Sequence, residues 1–487
     1  MKKTIFPSIQ AIRDLSNEQI FIFKHPNDPT IELTIRLSKD GRKFSFVSET
    51  PIPVSLYDFE NWRFSKDQTL EFIGTNDSFF CQGNEFIVTT RSSKDLILKG
   101  DIYGLRSTKD FGDNGSSFYR YISQIKKGDI STHDFCGTSF SETIGLRVIN
   151  QSCIQLILEE GDFHFYTYSK DDFHYVVIDS IEKKALSDFK TTCYNILLSY
   201  AVITGTLLND DTFIFKYENA IMSEPLSLTY ISLGETIRTK EPILSNNFKT
   251  LFGNNKSIEI KGSIGKQTLT TSDIYFFKED TLSNLIKLNA KYEKIQRASL
   301  LFVSCQRTTL ELKIPALYVA LEAISSTIVD FKKVEGEKSN FAPIKDKKIA
   351  EELVSEIGQL LKSKKEVLNV SDEDFNVPLL VNKISYLNSP PNADKLKGAF
   401  EYVNFPLSKE EFGIIKNRDR FLHGNFVKGM GDEDLFLEAL HASLKISHLI
   451  GVLLLRLSDY SGPMLNYPAR YSQITGKSRD ESTVIVL

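Results

Sequence analysis

Cysteine is scarce in this chain and follows no pattern. Cys81, Cys136, Cys153, Cys193 and Cys305 are odd in number and none belongs to a C-x-x-C pair. That excludes a disulfide framework and a cysteine zinc site, and it fits a reducing cytosol. Long apolar runs are also lacking. The most apolar stretch, "LIGVLLLRL" at 449–457, is far shorter than the roughly 20 residues of a membrane helix. Lys445, His448 and Arg456 flank or interrupt it, so it reads as a buried core helix and no membrane association is expected. The first residues are basic, but no continuous apolar segment follows them, so no signal peptide is expected. No excess of one charge exists: 59 basic and 63 acidic residues leave a formal net charge of −4. Without a global positive field, any nucleic-acid site must be a local patch. There is no P-loop, no glycine fingerprint for a dinucleotide, no G-x-S-x-G and no H-E-x-x-H. No internal repeat of 20–50 residues is found.

What is present divides the chain by texture. At 487 residues, with 41% hydrophobic and 25% charged side chains, two or three globular domains are expected. The fold class read from the pattern is α+β and multidomain: a β-rich region over 1–275, then an all-helical bundle over 280–465 and a surface tail over 466–487. In the first region, residues 30–49 alternate apolar and polar around Lys39-Asp40-Gly41, a hairpin signal. The aromatic stretch 162–177, with His164 and His174, reads as alternating strands packing a core face rather than as a base-stacking platform. One inserted helix is expected near 182–205, ending at Gly205.

From about 280 the period changes to three and four. Leu285, Leu288, Tyr292, Ile295, Ser299 and Phe302 share a helix face, and Leu317, Leu321, Ile324 and Ile328 form the next stripe, with Pro315 in its first turn. Helical text continues at 346–365, 378–387 and 392–403, and a last helix is expected over 433–459. The run 345–366 has basic ends around an amphipathic middle: a solvated helix face, with an RNA-backbone contact as the other reading.

The chemistry-bearing stretch is "IKNRDRFLHGNF" at 415–426. Ser408 and Glu411 form a capping-box pattern, so a helix is expected from Lys409 to Leu422, and Gly424 sits where a left-handed C-cap residue belongs. Asp419 and His423 are four apart and share a face, so Asp419 can orient the imidazole. Arg418 and His423 are five apart, about 140° round an ideal helix. Either the last turn distorts or two copies of the helix supply the two groups. The structural alternative is a histidine that favours the helix dipole among solvated charges.

At this motif the sequence resembles the HEPN superfamily of helical ribonucleases, whose signature is Arg, a polar residue, three residues, then His, commonly followed by Gly. "RDRFLHG" matches it position for position, and "ALYVALEAI" at 316–324 looks like an early helix of such domains, with Glu322 in the Leu-Glu pair. The resemblance covers about 280–465. A β-rich region before such a bundle is similar to anti-phage, abortive-infection proteins of the ApeA type, in architecture only. One departure is that Asn417 precedes Arg418, whereas Asn follows the Arg in many members.

The resemblance implies a cytoplasmic, metal-independent endoribonuclease with no cofactor. Arg418, Asp419 and His423 would be catalytic, and Glu322, Asn417 and His441 would support them. Its partners would be RNA (tRNA among the candidates), a second copy through the bundle, and a phage-derived protein as trigger. The chemistry suits the residues: histidine moves protons near neutral pH and arginine gives a fixed cationic fork to phosphate. His441 and His448 also read as partly buried core or interface histidines. The competing function is a non-catalytic, nucleotide- or protein-binding helical module.

Overall fold

The computed structural model describes residues 4–28, 30–40, 43–52, 59–75, 77–92, 97–108, 115–126, 139–144, 147–208, 211–232, 236–238, 242–244, 257–262, 265–270, 279–335, 344–386, 388, 392–422, 433–474 and 481–487. The chain forms two compact units, Met1–Lys291 with Ser458–Leu487, and Tyr292–Leu457.

The first unit is β-rich. Among the described residues fifteen strands join one antiparallel sheet, running from the hairpin Ser139–Ile144/Arg147–Leu156 at one end to Phe86–Ser92 at the other. The hairpin read at 30–49 is present. Glu32–Asp40 pairs with Lys43–Ser48, and Asp40 faces Lys43, so the connection is one residue later than the sequence suggested. Period two explains the pairing: Leu33, Ile35, Leu37, Phe44 and Phe46 are all buried on one face.

The sheet is covered on both faces. Helix Leu186–Thr204 is the inserted helix, and it ends at Gly205 in the left-handed region (φ 72°). Its Phe189 ring lies 5.2 Å from Tyr119 and 6.2 Å from Phe163, and Tyr200 lies 5.2 Å from Phe165. The neighbouring residue Arg120 points to the other face, where helix Phe6–Ser16 packs through Ile9, Ile12 and Leu15. Sequence periodicity missed this first helix because tertiary bonds hold its short span. The fully buried Arg120 donates to both Asp179 oxygens at 2.7 and 3.0 Å, to the Thr4 carbonyl at 2.7 Å and to Ser8 Oγ at 3.1 Å. The Tyr166 hydroxyl donates to Asp179 at 3.0 Å, and Ser8 shares a 2.6 Å bond with the Tyr217 hydroxyl. Burial alone would lower the Arg120 pKa; the Asp179 charge outweighs it and holds the group well above its ordinary value.

The unit boundaries differ from those read in the sequence. Helix Glu279–Lys291 belongs to the first unit, because its Leu282, Leu285 and Ile286 are buried there and Asn289 donates to Ser199 Oγ at 2.8 Å. The face drawn from Leu285 to Phe302 is therefore broken: Tyr292 is extended (φ −120°, ψ 101°), and a separate helix, Glu293–Ser304, follows. The tail is not a loose cover either. Pro463–Leu465 pairs with Val484–Val486, Met464, Leu465 and Val484 are buried, and the Leu465 N–H reaches the Ile243 carbonyl at 3.0 Å.

The second unit is helical, with no strand among its described residues. Leu310–Val334 is its centre and packs against Glu293–Ser304, Asn392–Tyr402, Arg418–Leu422 and Glu433–Leu457. The Leu317, Leu321, Ile324 and Ile328 stripe is buried as its spacing required. This helix starts at Leu310, so Pro315 lies inside it rather than in its first turn. The Glu311 carbonyl consequently lacks its usual backbone donor. Leu310–Val334 and Leu435–Leu457 are long and apolar enough to cross a membrane by length and composition; 56% and 78% of their apolar windows are buried within the protein. The apolar run at 449–457 ends the last helix, Glu433–Leu457, within the 433–459 span expected from the sequence, and its Leu449, Ile450 and Leu453 are buried.

The buried Arg120 network gives a stability prediction. Arg120→Met strands the Asp179 carboxylate in the interior and should cost about 3–5 kcal/mol. Arg120→Met with Asp179→Leu should cost less than the sum of the single changes. Urea unfolding followed by Trp62 fluorescence checks this, because Trp62 is the chain's one tryptophan and sits in the same core.

Candidate functional site

The segment carrying the motif begins as the sequence required. Ser408 caps helix Lys409–Lys416: its hydroxyl accepts the Glu411 N–H at 3.2 Å, and the Glu411 carboxylate accepts the Ser408 N–H at 2.8 Å. The helix expected to run on to Leu422 instead breaks at Asn417 (φ −79°, ψ 10°) and restarts as the short helix Arg418–Leu422. The cause is a side chain from the central helix. The Tyr318 hydroxyl donates to the Ile414 carbonyl at 2.6 Å. The Asn417 N–H also points there, at 3.2 Å. In an unbroken helix that carbonyl would serve the Arg418 N–H. Asn417 is thus a helix-ending residue whose own carbonyl takes the Arg420 N–H at 3.1 Å. Tyr318 was not singled out by sequence reading; it falls on the same helical face as Leu321 and looks like one more core residue.

The break sets the direction in which Arg418 leaves the chain. Its Nε pairs with Glu322 Oε1 from the central helix, and its Nη1 donates to Asp419 Oδ1 at 2.8 Å. The Arg418 side chain is 22% exposed and that of Glu322 34% exposed, whereas Asp419 is 75% exposed. Burial works to lower the Arg418 pKa. The bond and charge of Glu322, then those of Asp419, outweigh it and leave the pKa raised. Below the guanidinium, Tyr318 is fully buried and stacks on Phe421 with ring centroids 6.1 Å apart. Burial raises the Tyr318 pKa and the nearby Arg418 charge opposes that rise, so the hydroxyl stays protonated and donates.

Two ion pairs and a histidine–carboxylate contact tie the motif segment to the last helix, Glu433–Leu457. Arg420 meets Glu438 at 3.0 Å, His441 meets Glu410 at 3.1 Å, and the buried Lys445 meets Glu411 at 3.7 Å. The residues named from the sequence therefore separate into groups. Arg418, Asp419 and Glu322 come together; Asn417 ends the preceding helix; His441 sits on Glu410. His423 and Gly424 lie outside the described residues. Among the described residues no three His, Cys, Asp or Glu side chains are grouped to hold a metal ion.

Comparisons with protein-family models, curated proteins and solved structures return no match to this chain. Any functional reading rests on the residues themselves.

The Tyr318 bond can be tested alone. Tyr318→Phe should keep the stack and lose the hydrogen bond, costing about 0.5–1.5 kcal/mol. Amide hydrogen exchange should rise selectively between Ile414 and Leu422. Unchanged exchange there would show that the hydroxyl does not hold the break.

Proposed function

We propose that the helical unit is a HEPN-like, metal-independent endoribonuclease built around Arg418 and His423. The observation that carries this reading is the state of Arg418. It is half-withdrawn from solvent and held charged and oriented by Glu322. A preorganised guanidinium suits a phosphate oxygen better than a flexible surface arginine does.

In this reading an RNA 2′-hydroxyl attacks the adjacent phosphorus. His423 takes the proton from that hydroxyl. The new P–O bond gives a five-coordinate phosphorane, whose added negative charge Arg418 stabilises. The P–O5′ bond then breaks, and the leaving oxygen takes a proton from a second His423 across a two-fold axis. A dimer through the motif segment supplies that second histidine. It also removes the angular mismatch between Arg418 and His423 on one helix. Asp419, four residues before His423, orients its imidazole. The β-rich unit restrains the nuclease until a phage-derived protein acts on it, which makes the chain a cytoplasmic, abortive-infection effector.

A second reading draws on the same contacts. Glu322 and Asp419 place two carboxylates on one arginine, which disfavours an incoming phosphate and suits a purely structural tie in a nucleotide- or protein-binding module.

Cleavage assays separate the two. Wild type should cut RNA in EDTA and leave 2′,3′-cyclic phosphate and 5′-hydroxyl ends. His423→Ala should lower the rate by about 10²–10⁴. Arg418→Ala should be similarly severe, and Arg418→Lys should recover only part because it lacks the planar fork. Asp419→Asn should be mild. Cleavage that vanished in chelator, or survived in His423→Ala, would remove the mechanism; no wild-type cleavage would favour the binding module.

A further inference from the structure

The β-rich unit holds a cavity of about 280 Å³ beside the first turn of helix Leu186–Thr204. Strand register builds it. Strands Phe118–Lys126, Thr212–Tyr217 and Ser227–Ile231 are neighbours, and two cross-strand rows run over them. Tyr119, Lys216 and Ser227 form one row. Tyr121, Ile214 and Thr229 form the next, and Arg106 of strand Gly104–Arg106 extends it. Residues paired across strands share a face of the sheet. The Tyr119 ring, 5.2 Å from Phe189, marks this face as the side that the helix covers. Phe213, Phe215 and Tyr217 alternate to the opposite face and join the core there.

The lining divides by chemistry. Tyr119, Leu186 and Ile214 give an apolar wall. Lys216, Ser227 and Thr229 set an ammonium and two hydroxyls beside it. Neither hydroxyl bonds to a described residue.

A second ammonium stands next to this lining. Lys190 lies one turn after Leu186, on the same side of the helix. It is half-buried and makes neither a hydrogen bond nor an ion pair with a described residue. Burial, and then the Arg106 charge, lower its pKa; the Glu85 charge opposes them. Glu85 is already engaged: it accepts two bonds from Arg106, at 2.5 and 2.6 Å, and the Gln82 N–H at 2.9 Å. A half-buried ammonium beside a guanidinium, with no carboxylate of its own, lacks negative charge, and an anion would supply it.

Size and donors define that anion. The cavity lies just below the ~300–1,000 Å³ range of pockets for drug-sized ligands, so it suits a small molecule rather than a nucleic-acid strand. Ammonium and hydroxyl donors from a helix and two strands approach from several directions. A tetrahedral phosphate offers acceptors in all of them, whereas a carboxylate offers them in one plane.

We propose that this cavity binds a small phosphate monoester, with its phosphate among Lys216, Lys190, Ser227 and Thr229 and its apolar body against Tyr119, Leu186 and Ile214. The site lies wholly within the β-rich unit and depends on no part of the ribonuclease reading. It makes that unit a receptor for a small anion as well as a scaffold.

The test is isothermal titration calorimetry of the full chain, without RNA, with phenyl phosphate, inorganic phosphate and phenol as separate probes. Phenyl phosphate should bind at one site per chain, and about tenfold or more tightly than either of the others. Lys216→Gln and Lys190→Gln should each weaken it by about tenfold or more, the scale of one lost hydrogen bond to a charged group. Both side chains are only half-buried, so circular dichroism and the unfolding midpoint should stay as in wild type. Lys190→Arg, which keeps the charge, should retain most of the affinity. Thr229→Val should weaken binding less than either lysine change. No binding of phenyl phosphate at millimolar concentration would overturn the proposal. So would phenyl phosphate binding no tighter than phenol or inorganic phosphate, or either lysine-to-glutamine variant binding like wild type.

Discussion

The candidate chemistry depends on one ion pair, that between Glu322 on the central helix and Arg418 at the start of the short motif helix. It fixes the guanidinium against a buried scaffold, since Glu322 follows directly on the buried Leu321 and the Arg418 charge is felt at the buried Tyr318 hydroxyl. The arrangement also sets an electrostatic condition. Two carboxylates share one cation, so the local charge in this state is negative, and an incoming phosphate must compete with them. The two are not equally held. Glu322 is partly enclosed, whereas Asp419 is mostly in water, where its ion pair is screened and worth little. Phosphate binding in the proposed mechanism therefore displaces Asp419 and keeps Glu322, turning a two-carboxylate tie into an oriented cation. A neutral Asn in place of Asp419 would remove that competition.

The texture of the sequence carried the division into a β-rich part and a helical part because each periodic pattern buries one face, as Leu33, Ile35 and Leu37 do in a strand and Leu317, Leu321 and Ile324 do in a helix. The Leu317–Ile328 stripe, the Gly205 helix end and the Ser408/Glu411 box are local signals with local causes, and they are where the sequence placed them; the hairpin beside Asp40 is displaced by one residue. The misreadings share another physical origin. At the Asn417 break the Ile414 carbonyl is taken by Tyr318, almost a hundred residues earlier, a contact that no local window contains. Helix Phe6–Ser16 is held by Arg120 and Asp179 from distant strands. Tyr292 interrupts what reads as one continuous helical face, and the residues before it bury themselves against Leu186–Thr204. The stretch 462–487 contains two prolines and looks like a surface cover, yet Pro463–Leu465 and Val484–Val486 make a pair only after the chain has folded back. In the candidate site, Arg418 and Asp419 were legible as a motif and Glu322 as its neighbour in the resemblance; their mutual contacts required the helices to pack.

Buried charge is used differently in the two units. In the first, Arg120 and Asp179 satisfy one another completely inside the sheet, with Tyr166, Ser8 and the Thr4 carbonyl taking the remaining hydrogen bonds. Such a network specifies how the first helix lies on the sheet and leaves no group for chemistry. In the second, the pairs from Arg420, His441 and Lys445 to Glu438, Glu410 and Glu411 join the motif segment to the last helix. Arg418 alone among the motif charges is braced toward the central helix. This difference, scaffold pairs on one side and a half-open arginine on the other, is what separates the proposed site from the surrounding ion pairs.

The central claim is that an RNA 2′-hydroxyl is the nucleophile at a site built on Arg418 and His423. The most direct measurement is single-turnover cleavage of an RNA oligonucleotide cut at one known position, compared with the same oligonucleotide carrying a single 2′-deoxy nucleotide immediately 5′ to that bond. The account predicts that the substituted strand still binds, with affinity close to that of the unmodified strand, and that cleavage at that bond is lost. Cleavage of the substituted strand at the unmodified rate would mean that water or another nucleophile attacks the phosphate, and the account would be contradicted.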